Sequence, residues 1–323
     1  MAVLLSVLTL FIFLAAGLGL AQIRYIRESV LIGRLSVWAL YFLLFFMGFR
    51  IGATTGSDKL AEIGRLSLVF AVSASAGTAL ILAVIYSSSR RFAGKVSALN
   101  DSDTQPQPAA AEKTETVSDK ITALPALKEP LRLLVIVSAG FAAGWFIKIP
   151  GFSGEQVSSW MLRFLLFAIG TDMVKNGVSL KRAVAHPETL YLPAGVVAGS
   201  LLGSLLPALL FGIDAGKAMA VASGFGWYSL SGVLITDMGD PVLGSAAFVS
   251  NILRETIALL SIPLISRSRF PHIGIGIAGA TSMDVTLPLI EKSCGPDSVP
   301  LAITSGALLS LLVPVLVPLF YQL

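Results

Sequence analysis

The sequence predicts an all-α, polytopic membrane protein. Of its 323 residues, 55% are hydrophobic and only 13% are charged, whereas a soluble globular chain carries about 25% charged residues. Apolar runs of about 17–23 residues recur along the chain, and each is long enough to cross a hydrocarbon core as a helix. An outer-membrane barrel would instead show short segments of alternating polarity. We therefore expect a bundle of apolar helices in a lipid bilayer.

Ten apolar segments follow one another along the chain. The first has no positive residue ahead of its apolar core, and Arg24, Arg27 and Arg34 come shortly after it. This pattern indicates a membrane span rather than a cleaved signal peptide. The segments are residues 2–21, 35–51, 65–86, 132–149, 156–174, 190–212, 217–236, 242–265, 273–290 and 299–322.

Residues 88–131 interrupt this series. They contain the polar run from Asp101 to Pro108, an alanine run, and mixed lysines and glutamates. Such a composition buries too little apolar surface to fold alone, so we expect a disordered cytoplasmic linker. It separates an N-terminal three-helix part, residues 1–87, from a C-terminal part, residues 132–323, in which we expect the functional core.

Positive charges predict the orientation in the membrane. Lysine and arginine concentrate in cytoplasmic loops, and here they follow the first, third and fifth segments. If these loops are cytoplasmic, both chain termini lie outside. The residues concerned are Arg24, Arg27, Arg34, Arg90, Arg91, Lys95, Lys128, Arg132, Lys175, Lys181 and Arg182.

Two segments, near 217–236 and 273–290, have the composition of broken helices. Both are rich in glycine and hydroxyl side chains, which weaken a helix and re-satisfy freed backbone groups. If both are re-entrant, Arg267 and Arg269 become cytoplasmic and eight full spans remain. If both cross, there are ten spans and these two arginines break the charge rule. Broken helices of this kind form substrate sites in transporters.

Two acidic residues lie inside apolar segments. Glu255 is about 20 Å along a helix from Val242 and about 15 Å from Ile265, which places it near the middle of a bilayer. Asp284 lies in segment 273–290. An ionised carboxylate at such a depth costs several kcal/mol unless it faces a partner or a water-filled cavity. Both residues are therefore candidates for the functional site.

Small and polar residues share the helix face of Glu255. Gly244, Ala247, Asn251, Glu255 and Ala258 recur at steps of three and four residues, so they form one stripe. The functional interpretation is that this stripe, with Asn251, lines a cavity. The alternative is close helix packing through small residues.

The remaining site candidates are a cation, two hydroxyls and two aromatic residues. Arg254 points about 100° away from Glu255 around the helix, and we expect it to neutralise Asp284 or Asp237 or to contact a substrate. The hydroxyls could line a site or cap a short helix, and the aromatic rings could meet a cationic substrate or belong to an interfacial belt. They are Thr281, Ser282, Trp227 and Tyr228.

Several other classes of protein lack support in the sequence. His186 and His272 flank prolines outside the apolar segments, which disfavours a serine–histidine dyad. The Gly-x-Gly-Asp motif of intramembrane aspartyl proteases and the Walker A motif are both missing, so no enzymatic activity is expected. The single cysteine, Cys294, excludes an intramolecular disulfide and a multi-cysteine metal site. We predict no cofactor and no nucleic-acid partner.

Five motifs resemble those of the bacterial lysine exporter LysO family. They are Ala222-Ser-Gly-Phe-Gly-Trp-Tyr-Ser-Leu-Ser-Gly232, Gly244-Ser-Ala-Ala-Phe248, Arg254-Glu255, Gly279-Ala-Thr-Ser-Met-Asp-Val-Thr-Leu-Pro288 and Leu309-Ser-Leu-Leu-Val-Pro314. The resemblance implies export of L-lysine and its analogue thialysine across the inner membrane. It also implies that the family's two essential intramembrane acids are Glu255 and Asp284. The wider superfamily resembles cation/proton antiporters with inverted repeats, which favours ten spans. The positions of the positive charges favour eight, so the number of spans stays open.

The predicted function is export of lysine in exchange for protons. Moving one positive charge out of an inside-negative cell costs about 2.3 kcal/mol per 100 mV, and an incoming proton cancels this electrical cost. The alternative is a Na⁺/H⁺ exchanger or an organic-ion carrier with the same architecture. An intramembrane aspartyl protease is less favoured. A homo-oligomer remains open.

Overall fold

The described part of the chain is helical throughout. A computed structural model describes residues 12–13, 15–21, 30–54, 58–88, 124–147, 155–175 and 190–323, and it contains no β-strand within these ranges. The helices are α1 Val30–Thr54, α2 Asp58–Ser88, α3 Leu124–Phe146, α4 Glu155–Lys175, α5 Tyr191–Phe211, α6 Ala215–Ala222, α7 Tyr228–Asp237, α8 Pro241–Ile265, α9 His272–Ala278, α10 Leu287–Cys294 and α11 Val299–Tyr321.

Four of the described helices are long and apolar enough to cross a membrane. Shorter apolar stretches lie in α1, α3 and α4, at Arg34–Phe49, Leu131–Phe146 and Trp160–Thr171. These findings confirm the helical class and the apolar spans, but they do not fix the total number of spans. Residues 89–123 of the predicted linker lie outside the described residues. The four long segments are Lys59–Ser88, Tyr191–Phe211, Pro241–Ile265 and Pro296–Tyr321.

Glycine seams hold two pairs of long helices together. In the α1–α3 pair and in the α2–α5 pair, a Cβ added at any seam glycine would collide with the backbone of the facing helix. Small residues allow such close approach between helices in lipid. Helix α2 also packs on α8 and α9, so it associates with helices that follow the linker. The seam glycines are Gly48, Gly52, Gly140 and Gly144 in the first pair, and Gly77, Gly199 and Gly203 in the second.

Helices α6 and α7 form a hairpin. Its two ends lie at the same end of the helix bundle. Lys217 near the start of α6 places its Nζ 3.6 Å from Oδ2 of Asp240, which follows α7. The Lys217 ammonium also lies over the ring of Tyr321 at the end of α11. Asp240 caps α8 by accepting the Leu243 N–H, and Pro241 occupies the first position of that helix. We call α6, residues 223–227 and α7 hairpin 1.

Helices α9 and α10 form a second hairpin at the opposite end of α8. Its two ends meet where the thiol of Cys294 lies 3.9 Å from the carbonyl oxygen of Pro271. Rings of Phe270 and His272 at this base pack on Tyr86 near the end of α2. Helix α8 has 25 residues and is therefore about 37 Å long, so the bases of the two hairpins lie far apart. We call residues 272–294 hairpin 2.

The tips of the two hairpins meet inside the bundle. The Ala280 N–H of hairpin 2 donates to the Phe225 carbonyl of hairpin 1 over 2.8 Å. Gly226 and Gly279 have positive φ angles of 99° and 66°, and Phe225 has one of 47°. A Cβ at Gly226 would lie 3.0 Å from the Ala278 oxygen, and one at Gly279 would collide with the Phe225 oxygen. Both helix breaks therefore fall in the segments where the sequence predicts them.

We expect Gly279→Ala to destabilise the protein far more than Gly295→Ala. Both glycines have positive φ angles, 66° and 91°, and an alanine at either costs about 1–3 kcal/mol in backbone strain. Only Gly279 faces another backbone, because nothing lies within 4 Å of a Cβ at Gly295. The collision adds roughly another 1–3 kcal/mol. Thermal unfolding of the purified variants in detergent measures the difference, and equal losses would contradict the contact between the tips.

Candidate functional site

The carboxyl group of Glu255 is sealed inside the bundle and has no partner among the residues that the structure describes. Its side chain is 0% exposed, and neither oxygen accepts a hydrogen bond from any described residue. An ionised carboxylate in such surroundings is strongly disfavoured unless it binds a proton or a cation. Glu255 lies in the middle of α8, as the sequence predicts. Both of its oxygens therefore remain without a hydrogen-bond donor among the described residues.

Asp284 differs from Glu255 in exposure and in hydrogen bonding. It follows the short 3₁₀ helix Gly279–Met283 at the tip of hairpin 2, and its side chain is exposed. Its Oδ1 accepts the N–H of Val285 over 2.6 Å. The charge of Asp284 acts on Glu255, and this interaction is repulsive when both are ionised. A proton or a cation at either carboxyl group relieves the repulsion.

Asn251 shares the helix face of Glu255, but its amide holds hairpin 1. Its Oδ1 accepts the Gly226 N–H over 2.7 Å, at the tip where helical hydrogen bonding stops. Its Nδ2 donates to the Ser231 hydroxyl and to the Ala247 carbonyl, at 3.2 and 2.9 Å. Both amide hydrogens are thus engaged within the protein. The structure gives Asn251 a bracing contact where the sequence predicts a ligand-binding one.

The hydroxyls at the tip of hairpin 2 likewise satisfy freed backbone groups. Thr281 donates to the Ala278 carbonyl over 3.0 Å. Ser282 donates to the carbonyls of Gly279 and Ala302, at 2.7 and 2.9 Å, and the second bond ties the tip to α11. Both side chains are buried. Because they donate to carbonyls, they do not form the N-cap that the sequence left open beside a substrate role, and the N-terminus of α10 has no side-chain cap.

The expected acidic partner of Arg254 is absent from the described part of the chain. The guanidinium donates to the carbonyls of Ile277 and Gly276 and to the hydroxyls of Ser200 and Thr78. Neither Asp284 nor Asp237 forms an ion pair with it, so this expectation is corrected. The physical reason is that α9 ends beside Arg254 and presents carbonyls with no helical donor.

The two aromatic candidates lie at the tip of hairpin 1 and are half-buried. The Trp227 carbonyl accepts the backbone N–H of Ser231, which begins the hydrogen bonding of α7. The Tyr228 ring packs edge-on against Phe248 of α8, with centroids 5.8 Å apart. Their placement inside the bundle argues against an interfacial aromatic belt.

Three polar residues near the hairpins were not predicted from the sequence. Thr78 and Ser200 bind Arg254, and each follows a seam glycine in an apolar helix. Ser305 on α11 is 0% exposed, and its hydroxyl has no partner among the described residues. The available signal is a small polar residue beside a glycine, in Gly77-Thr78, Gly199-Ser200 and Ser305-Gly306.

The family model and the curated relatives that match this chain are all described as lysine exporters. A family model described as "Lysine exporter LysO" matches residues 134–321. "Lysine exporter LysO" of Escherichia coli is 43% identical over 197 residues, which cover 59% of this chain and 64% of that protein. "Putative lysine exporter" of Haemophilus influenzae is 36% identical over 188 residues, covering 58% of this chain and 96% of that protein. The alignment thus spans less than two thirds of the E. coli relative. No solved structure matches the chain.

We expect opposite effects on stability from Asn251→Ala and Glu255→Gln. Alanine at 251 leaves the buried Gly226 N–H without its acceptor, which costs about 1–3 kcal/mol. Glutamine at 255 removes an ionisable group that has no described partner, so the unfolding midpoint should stay the same or rise. Thermal unfolding in detergent compares the two. An equal fall for both variants would reveal a structural partner for Glu255.

Proposed function

The chain belongs to the lysine exporter LysO family, and we propose that it exports L-lysine across the bacterial inner membrane in exchange for protons. The observation that carries this proposal is the buried carboxyl group of Glu255, which has no hydrogen-bond partner in the described part of the chain. Such a group binds one positive charge at a time, either a proton or an ammonium group. A site that releases one cation in order to accept the other performs antiport.

The second carboxyl group suits the charge of lysine. Lysine carries two ammonium groups and one carboxylate at neutral pH, so a pair of acids matches its two cationic ends. Glu255 and Asp284 repel each other when ionised, and a bound diammonium substrate relieves that repulsion. We propose that both face one cavity, with the carboxyl groups within about 12 Å, the approximate length of extended lysine by chain dimensions. Thialysine keeps both ammonium groups and should bind as well.

Membrane energetics favour protons as the coupling ion. Lysine leaves with a net positive charge against an inside-negative potential, at about 2.3 kcal/mol per 100 mV. One proton moving inward for each lysine cancels this electrical cost. Any inward gradient of proton concentration then drives export. The same two carboxyl groups serve both partners, which makes a separate proton pathway unnecessary.

We propose eight full spans and two re-entrant hairpins that enter from opposite sides. The close approach of Lys217 to Asp240 and of Cys294 to Pro271 supports this arrangement, because each hairpin ends near its own start. Arg267 and the neighbouring Arg269 lie in the connection that leads to hairpin 2. Their positive charges favour a cytoplasmic base for hairpin 2, and both chain termini would then lie outside.

Thiol labelling of intact cells tests the two sides. A membrane-impermeant maleimide should label Lys217→Cys, made in a Cys294→Ser background, without permeabilisation. Native Cys294 should react only after the cells are opened. Expression of each protein is checked on permeabilised cells. Labelling of both thiols from the same side would contradict opposed hairpins, and reversed sides would contradict the orientation.

Transport by reconstituted vesicles tests the function. Wild-type protein should release preloaded lysine faster when an inward proton gradient is imposed. Glu255→Gln and Asp284→Asn should each reduce release to the level of protein-free vesicles, because an amide cannot exchange a proton for an ammonium group.

A surface carboxylate supplies the matched control for these variants. Glu62 forms an exposed ion pair with Lys59 at 2.8 Å, and Glu62→Gln should transport like the wild type. Wild-type release from either acid variant would remove that residue from the site. Sodium–proton exchange without lysine release would replace lysine by Na⁺ as the cargo. Release without a response to the proton gradient would exclude coupling while leaving export intact.

A further inference from the structure

Arg254 is a buried cation whose described partners are all uncharged. Its side chain is 2% exposed. Four hydrogen bonds hold the guanidinium, and a guanidinium has five N–H donors, so one donor remains. The bonds run from Nε to Ile277 O at 3.0 Å, from one terminal nitrogen to Ser200 Oγ at 2.8 Å, and from the other to Thr78 Oγ1 and Gly276 O, both at 3.3 Å.

These bonds complete the C-terminal end of α9. A helix leaves its last four carbonyls without helical donors, and here they belong to residues 275–278. Each of the four accepts a hydrogen bond in the structure. The donors are the Gly279 N–H to Ile275, Arg254 to Gly276 and Ile277, and the Thr281 hydroxyl to Ala278. Half of this cap therefore comes from a single side chain on another helix.

The same guanidinium joins α9 to two long helices. Ser200 belongs to α5 and Thr78 to α2, and their hydroxyl oxygens lie 3.1 Å apart. Both residues sit at the glycine seam between these helices, beside Gly77 and Gly199. Arg254 thus connects hairpin 2 to α2, α5 and its own helix α8 at one point.

We propose that Arg254 is a positioning residue for transport and not a ligand of the substrate. By capping α9 it fixes the tip of hairpin 2 against hairpin 1, and so it sets the position of Asp284 relative to Glu255. Its burial and its four internal bonds leave it little capacity to meet a substrate carboxylate. The planar fork of arginine is required because the acceptors come from three different helices. This inference rests on the proposed lysine export.

Two substitutions separate the contributions of charge and donor number. Arg254→Lys keeps the charge with three donors on a single nitrogen, and Arg254→Met keeps much of the length with none. We expect the maximal rate of lysine release to fall about tenfold in Arg254→Lys and about a hundredfold in Arg254→Met, because hydrogen-bond donors are lost. The apparent KM for lysine should stay within about threefold of the wild type, because substrate contacts are unchanged.

A substrate without a carboxylate tests the competing role directly. 1,5-Diaminopentane has the two ammonium groups of lysine and lacks its carboxylate. If Arg254 only positions hairpin 2, both variants should keep the wild-type preference for lysine over this diamine. A lost preference, or a KM for lysine raised tenfold or more, would show that Arg254 binds the carboxylate and would overturn the proposal.

A measurement independent of lysine keeps this inference separate from the proposed function. The Cys294 thiol at the base of hairpin 2 contacts Pro271, so its maleimide reaction rate in solubilised protein reports loosening of the hairpin. Arg254→Met should accelerate the reaction several-fold, with Arg254→Lys in between. Arg163→Met, which removes an arginine packed over Trp160 on α4, is the control and should leave the rate unchanged.

These experiments distinguish a failure of the proposed function from a failure of the positioning role of Arg254. If wild-type vesicles do not move lysine, the proposed function fails, and Cys294 reactivity alone judges the role of Arg254. Unchanged reactivity in both Arg254 variants would overturn the positioning role. If Arg254→Met does not accumulate as folded protein, Arg254→Lys supplies the rate, the preference and the reactivity.

Discussion

The structure depends on one constraint: a backbone polar group inside a bilayer must find its partner within the protein. An unbroken helix meets this constraint without help, but hairpins 1 and 2 stop partway through the bundle. Their tips leave donors and acceptors that water cannot reach. Asn251 supplies the acceptor for Gly226, and the tip backbones bind each other through Ala280 and Phe225. Polar side chains in this region therefore serve first to satisfy the backbone groups that the two helix breaks leave without helical partners.

That constraint sorts the polar residues into two groups. Four side chains form hydrogen bonds with other groups of the protein: those of Asn251, Arg254, Thr281 and Ser282. The two carboxyl groups differ from these: that of Glu255 has no hydrogen-bond partner among the described residues, and that of Asp284 accepts a backbone N–H from the neighbouring Val285. Glu255 combines unused hydrogen-bonding capacity with full burial, and a ligand gains most from binding to such a group. The contrast between the groups is stronger support for a site than the presence of acids alone.

The sequence predicted the class of fold, the two segments in which helices break and the burial of Glu255, whereas Asp284 is exposed in the structure. These features follow from local rules, such as apolar run length, glycine content and an acid at mid-span. The partners of Arg254 could not be predicted from local sequence patterns, because Thr78 and Ser200 lie 176 and 54 positions away along the chain. The association of α2 with helices beyond the linker was missed for the same reason. Hydroxyls that cap a broken helix and hydroxyls that bind a ligand also look alike in a sequence, since both uses favour the same residue types.

The hydrogen bond between Ala280 and Phe225 links two hairpins whose bases lie at opposite ends of the bundle. A displacement of either tip must break this bond or pull the other hairpin with it. The two hairpins are thus mechanically coupled across the middle of the protein. In the proposed exchange of lysine for protons, a state open to both compartments at once would dissipate the proton gradient. A shared backbone contact at the centre makes such a leak state costly without needing any extra gate.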